Sequence, residues 1–159
     1  MTDPNSILSP DCTHALLHVA NRKRALHFVS DLLAEHYDEV SAHLLFDALM
    51  ERERLGSTGL GEGVAIPHCR LEGAPMMAAL ITLDEAVDFD APDGQPVDLL
   101  YVLVVPPEEA SAHLDVLASL AELFGAEADR QSLRSADTAA ALHTTFTNAI
   151  VRNQHAKAG

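Results

Sequence analysis

VDLLYVLVV, residues 97–105, is apolar at every position except Asp98. Successive side chains of a strand point to opposite faces, so such a run belongs in the middle of a sheet that is covered on both sides. Two other aliphatic runs share its texture: GVAIPHCR (63–70) and MMAALITL (76–83), each bounded by Gly, Pro or Asp. They read as further strands. Between them and the 97–105 run lies DFDAPDGQPVD, a loop with Asp93-Gly94 as its tight-turn pair.

The flanks have a different period. In NRKRALHFVSDLLAEHY (21–37), Ala25, Leu26, Phe28, Val29, Leu32 and Leu33 recur at helical spacing. DEVSAHLLFDALMERERL (38–55) follows, with Val40, Leu44, Ala48 and Leu49 as its expected inner stripe and Gly56 as its stop. After Pro106-Pro107, SAHLDVLASLAELF (111–124) predicts a strong helix, then a short one around 126–134 and a last one over 137–152. Helices, strands and helices in that order predict an α/β layer fold, one sheet with helices packed on its faces. Residues 1–6 are expected to form a flexible arm, 7–152 one domain and 153–159 a polar tail.

Composition narrows the function. A chain of 159 residues with 48% hydrophobic content suits a single domain with a real core. Its formal net charge of −14 argues against non-specific binding to nucleic acid or anionic lipid. Cys12 and Cys69 are too few for a disulfide scaffold, no apolar run approaches a membrane span, and the first residues lack signal-peptide features. A reduced, cytoplasmic protein is expected.

The stretch GSTGLGEGVAIPHC (56–69) carries the chemistry. Its glycines follow a helix, precede a strand and contain no Lys, so neither a P-loop nor a dinucleotide fingerprint fits. A loop that lets backbone approach an anion remains. Ser57 and Thr58 add hydroxyls, Arg52 and Arg54 add guanidinium donors, and Pro67 stiffens the step into His68. An ordinary turn with an incidental histidine is the plain alternative. A second imidazole weighs against it, because His113 shares a helical face with Leu117, Leu120 and Phe124 and so points inward. Neutral histidine can attack a phosphoryl group directly, and such transfer depends on positioning and on neutralising the equatorial oxygens. The remaining histidines (His14, His18, His27, His36, His43, His143 and His155) lack a convincing ligand set; His14 and His18 would stand one turn apart if helical. The acidic surplus is expected to be mostly a solvated surface, biasing docking toward basic faces.

Three segments in order, ERERLGSTGLGEGVAIPHCR, VDFDAPDGQPVDLLYVLVVP and AHLDVLASLAELF, resemble the EIIA domain of the bacterial phosphotransferase system, fructose/mannitol type. The pattern LSPDC…NRKRAL resembles its nitrogen-regulatory branch, EIIA-Ntr, and the likeness covers roughly residues 7–150. The resemblance implies a mixed β-sheet flanked by α-helices on both faces. It implies phosphorylation of His68, with His113 as second active-site histidine, Arg52 as active-site arginine, and Ser57 and Thr58 in the phosphate-binding signature. An HPr-like donor and regulatory targets in potassium transport or nitrogen- and stress-linked systems are implied as partners, and no cofactor or metal. A sugar-transport EIIA passing phosphate to a IIB protein is the first alternative, and a metal- or ligand-binding module the second. Cys69 stands where the family usually has Gly, which introduces a thiol beside the nucleophile as a possible redox modulator.

Overall fold

The 97–105 run lies at the centre of a six-stranded mixed sheet in the computed structural model, which describes residues 3–158. The strands are β1 (Leu8–Leu17), β2 (Gly59–Gly61), β3 (Val64–Ala65), β4 (His68–Arg70), β5 (Met77–Val87) and β6 (Val97–Val105). The helices are α1 (Pro4–Ile7), α2 (Arg22–His36), α3 (Ala42–Leu55), α4 (Ala110–Phe124), α5 (Glu127–Ser135) and α6 (Ala139–Ala158). Strand order is β1-β5-β6-β3-β2, with β4 also on β6. β5 is antiparallel to β6, whereas β3 and β4 run parallel to it.

Alternation along β6 divides the core. Leu100, Val102 and Val104 face α2 and α3, while Leu99, Tyr101, Leu103 and Val105 face α4, α5 and α6. All seven are fully buried. At about 1.5–3 kcal/mol for each buried aliphatic side chain, this one strand is a major source of stability. Helices therefore cover both faces, as the α/β reading requires. Among the described residues no helix is long and apolar enough to cross a membrane.

The glycine run resolves into a hairpin. Gly61 pairs with Val64 across a two-residue turn, and the turn residues Glu62 and Gly63 have φ of 58° and 79°. Two positive φ values in a two-residue connection fit the right-handed twist of the strands. The φ of 79° at Gly63 favours glycine, and a Cβ there would also displace the Arg134 guanidinium. The hairpin delivers the chain to β6, where β3 and β4 keep the same register on either side of Ile66-Pro67. Pro67 donates nothing to the ladder, yet its carbonyl accepts from Leu103 N at 2.9 Å. The imidazole-bearing β4 is thus fixed against the most buried strand of the fold.

Four sequence expectations change. In α3 the buried stripe is Leu45, Leu49 and Glu53; Leu44 is exposed, Ala48 half-buried, and Val40 precedes the helix. Either leucine of the Leu44-Leu45 pair satisfies helical spacing, and packing against the sheet selects the second. Residues 8–17, assigned no element from sequence, form β1, a parallel edge strand with two register shifts and Pro10 within it. Those irregularities erase the alternation that marks a strand, and edges tolerate them. The polar start is one capped helical turn from residue 4 onward: Asp3 caps α1, Tyr101 donates to the Pro4 carbonyl at 2.9 Å, and Asn5 Nδ2 donates to the Thr147 carbonyl. Residues 1–2 of the expected arm lie outside the described residues. The last helix runs on through the expected tail to Ala158, with residue 159 outside the described range.

Candidate functional site

The histidine that Pro67 presents, His68, opens β4, which bonds β6 along one edge. The end of α3 and the start of α4 converge on this short strand. A cavity of about 550 Å³ results, lined by Glu51, Arg52, His68, Cys69, Arg70 and His113, with Ala48 and Leu55 as its apolar wall.

His68 Nδ1 lies 2.7 Å from the Ile66 carbonyl. A carbonyl only accepts, so Nδ1 carries the proton and Nε2 keeps its lone pair. The His113 ring reaches it from α4, with centroids 5.1 Å apart and planes tilted by 56°. Burial pushes the His68 pKa below its ordinary value; the Ile66 carbonyl and Glu53 oppose this, and the Arg52 guanidinium reinforces it. His113 is lowered first by burial, then by His68, Arg70 and Arg52. Both rings are therefore held in the neutral, nucleophilic form. The buried His113 Nε2 has no hydrogen-bond partner. A buried polar nitrogen without a partner is costly, and an entering anion or its proton would satisfy it.

Arg52 lines the cavity and also spans its own helix end, with Nη1 donating to the Gly56 carbonyl at 2.7 Å. The two hydroxyls expected beside it are elsewhere. Ser57 Oγ donates to the Phe89 carbonyl and accepts from Gly59 N at 3.0 Å, while Thr58 Oγ1 donates to Glu53. Glu53 is buried, accepts from Thr58 N, and pairs with Arg22 at 3.5 Å; Arg22 in turn donates to the Phe89 carbonyl. Ser57 and Thr58 thus anchor the glycine loop from behind, with neither lining the cavity. Nothing in the sequence distinguished a loop-anchoring hydroxyl from a phosphate-facing one, and the buried Glu53 decides it.

Cys69 is buried, its side chain turned by strand alternation into the α2/α3 core. Burial pushes its thiol up to about 12, so almost no thiolate exists at neutral pH. This environment opposes the redox role expected from its position. Mild peroxide sufficient to oxidise an exposed thiol should affect phosphate uptake equally in the wild type and in Cys69→Ala. Protection by the substitution alone would restore the redox role.

Arg70 was missed from the sequence. It stands two residues after His68, hence on the same strand face, and it lines the cavity. That alternation was the available signal. The other histidines do not join the site: His14 packs on Phe28 from β1, and His18 pairs with Asp84 at 3.0 Å. His14 and His18 therefore do not share a helix face. Among the described residues no group of three or more His, Cys, Asp or Glu could hold a metal ion.

Comparison with known proteins identifies the family. The family described as "Phosphoenolpyruvate-dependent sugar phosphotransferase system, EIIA 2" matches residues 6–149. A nitrogen regulatory protein of Pseudomonas aeruginosa is 44% identical over 138 residues, covering 86% of this chain and 90% of the relative. Its counterpart in Escherichia coli K12 is 36% identical, covering 91% and 89%. The crystal structure of nitrogen regulatory protein IIA-Ntr from Neisseria meningitidis superposes with a TM-score of 0.82 at 38% identity, covering 89% of this chain and 97% of that one. IIA mannitol from Escherichia coli shares the fold, with a TM-score of 0.72 at 20% identity, covering 86% and 96%. By domain match, sequence and fold, the chain belongs to the EIIA type 2 family of the phosphoenolpyruvate-dependent phosphotransferase system, with nitrogen regulatory proteins among its relatives.

Proposed function

We propose that this EIIA protein accepts a phosphoryl group on His68 Nε2 from an HPr-type donor in the cytoplasm, and that the phosphorylation state sets its affinity for regulatory targets. One observation carries the reading: Nδ1 is committed to the Ile66 carbonyl, which leaves Nε2 as the nucleophile beside His113. In the transfer, the donor's P–N bond breaks as the P–Nε2 bond forms. The electron pair of the broken bond stays on the donor's ring nitrogen. Nδ1–H keeps its proton against the Ile66 carbonyl, which supports the positive charge that the ring acquires. Such a transfer asks the protein for alignment and charge neutralisation, with no separate base. His113 and the cavity arginines supply the second.

Incubation with Enzyme I, an HPr-type donor and phosphoenolpyruvate, followed by alkaline mass mapping, tests the acceptor directly. Phosphate should appear on the His68 peptide as an acid-labile adduct. A regulatory output has its own readout. A dianion placed in the cavity beside the exposed Leu55 changes both charge and desolvation of a docking face. Affinity for at least one protein target should differ about ten-fold between the phosphorylated and free forms, the scale of a typical coupling free energy. Pull-downs with wild type and His68→Ala, with and without phosphoenolpyruvate, measure it. If the sole state-dependent partner is a IIB protein that takes the phosphate onto its cysteine, the transport role replaces the regulatory one.

A further inference from the structure

We infer that Arg70 is a second phosphoryl-binding residue of this site, donating to the equatorial oxygens of the group on His68 from the strand itself. The inference rests on the phosphohistidine reading above. Strand alternation decides the direction: Cys69 turns into the α2/α3 core, so His68 and Arg70, on either side of it, share the opposite face. Both line the same cavity. The Arg70 side chain has no ion pair or hydrogen bond to any described residue, whereas Arg22, Arg52, Arg130, Arg134 and Arg152 are all engaged. Of the two guanidinium groups on the cavity, Arg52 is therefore partly committed to its helix end, and Arg70 is the free one.

Charge gives the free one its importance. Glu51 lies on the same cavity and cancels one of the two guanidinium charges. With both histidines neutral, the lining is net positive with Arg70 present and uncharged without it. A phosphoryl group brings about two negative charges. A planar guanidinium can meet two of its oxygens at once, which a point charge cannot. His113, whose Nε2 has no hydrogen-bond partner, lines the same cavity.

Single-turnover transfer from a phosphorylated HPr-type donor to the full chain tests this, with wild type, Arg70→Gln and Arg70→Lys. Arg70 is exposed at the strand end, so both variants should fold; matching circular dichroism spectra check it. Arg70→Gln should slow transfer about 10- to 100-fold, the loss of one charge-assisted transition-state donor, and Arg70→Lys should recover part of that. A second readout needs no transfer. Inorganic phosphate should shift the His68 and His113 ring resonances of the wild type, and the shift should weaken in Arg70→Gln. The charged or titratable groups on that cavity are His68, Cys69 and Arg70 from β4, His113 from α4, and Glu51 and Arg52 from α3, and the Cys69 thiol stays protonated because burial pushes it up to about 12. Equal transfer rates and equal phosphate-induced shifts in Arg70→Gln and wild type overturn the inference. Failure of wild-type His68 to take up any phosphate overturns the reading beneath it instead.

Discussion

His68→Gln leaves the chain folded and unable to accept phosphate. Glutamine keeps a polar group of similar reach and can still donate to the Ile66 carbonyl, so β4 should stay in register on β6. It has no nucleophilic ring nitrogen, and label from phosphoenolpyruvate should drop below detection. The neighbouring His113 cannot substitute: it is buried, and its place four residues into α4 sets it against the cavity wall. Persistent label in His68→Gln, mapped by alkaline mass spectrometry, would move the acceptor to another residue. The same experiment has a pH arm. Burial holds the His68 pKa below the ordinary value of about 6.5, so the lone pair on Nε2 survives as pH falls through that value. The imidazole C2 resonance of His68 should titrate with a midpoint below 6.5, and a midpoint above it would contradict the buried, Arg52-facing environment.

Removing the second ring has the next largest effect. In His113→Ala the cavity widens and the transferring group loses a partner from the α4 side, so phosphate uptake should slow by about 10- to 1,000-fold, or ~1.4–4 kcal/mol of transition-state stabilisation. The label must still arrive on His68. His113 sits on the outer end of a helix whose Leu120 and Phe124 remain buried, so the melting temperature should change far less than the rate. Rates equal to wild type with a large drop in melting temperature would make His113 a packing residue. His113→Gln adds resolution, because its amide N–H restores one donor. Recovery toward wild type would identify hydrogen bonding, rather than ring shape, as what His113 contributes.

Much of the architecture was legible because burial on both faces leaves a plain mark. Val97–Val105, apolar at every position but Asp98, reads as a central strand rather than an edge, and α2 and α4 carry unambiguous helical stripes. The edge was not legible. β1 has a proline, two register shifts and a positive φ at Leu16, and no local pattern survives those irregularities. α3 shows the limit of periodicity differently: its paired leucines offered two stripes, and only packing against the sheet chose Leu45 and Leu49.

For the site, the sequence by itself determined the side chains on offer: one imidazole held by a proline, and a second on the inward face of a helix. What tertiary structure decided was which groups share the cavity. Ser57 and Thr58 lie only ten or eleven positions before His68, yet the buried Glu53 and the Phe89 carbonyl claim their hydroxyls. Cys69, adjacent to His68, borders the cavity but packs its side chain into the α2/α3 core, whereas His113 is far away in the chain and brings its ring to within 5.1 Å of the His68 ring. Arg70 is brought to the His68 side of the strand by the pleat of β4 alone. Proximity along a chain sets residue types within reach, but strand alternation and competition for hydrogen-bond partners set which of them meet, and both depend on contacts made by distant segments.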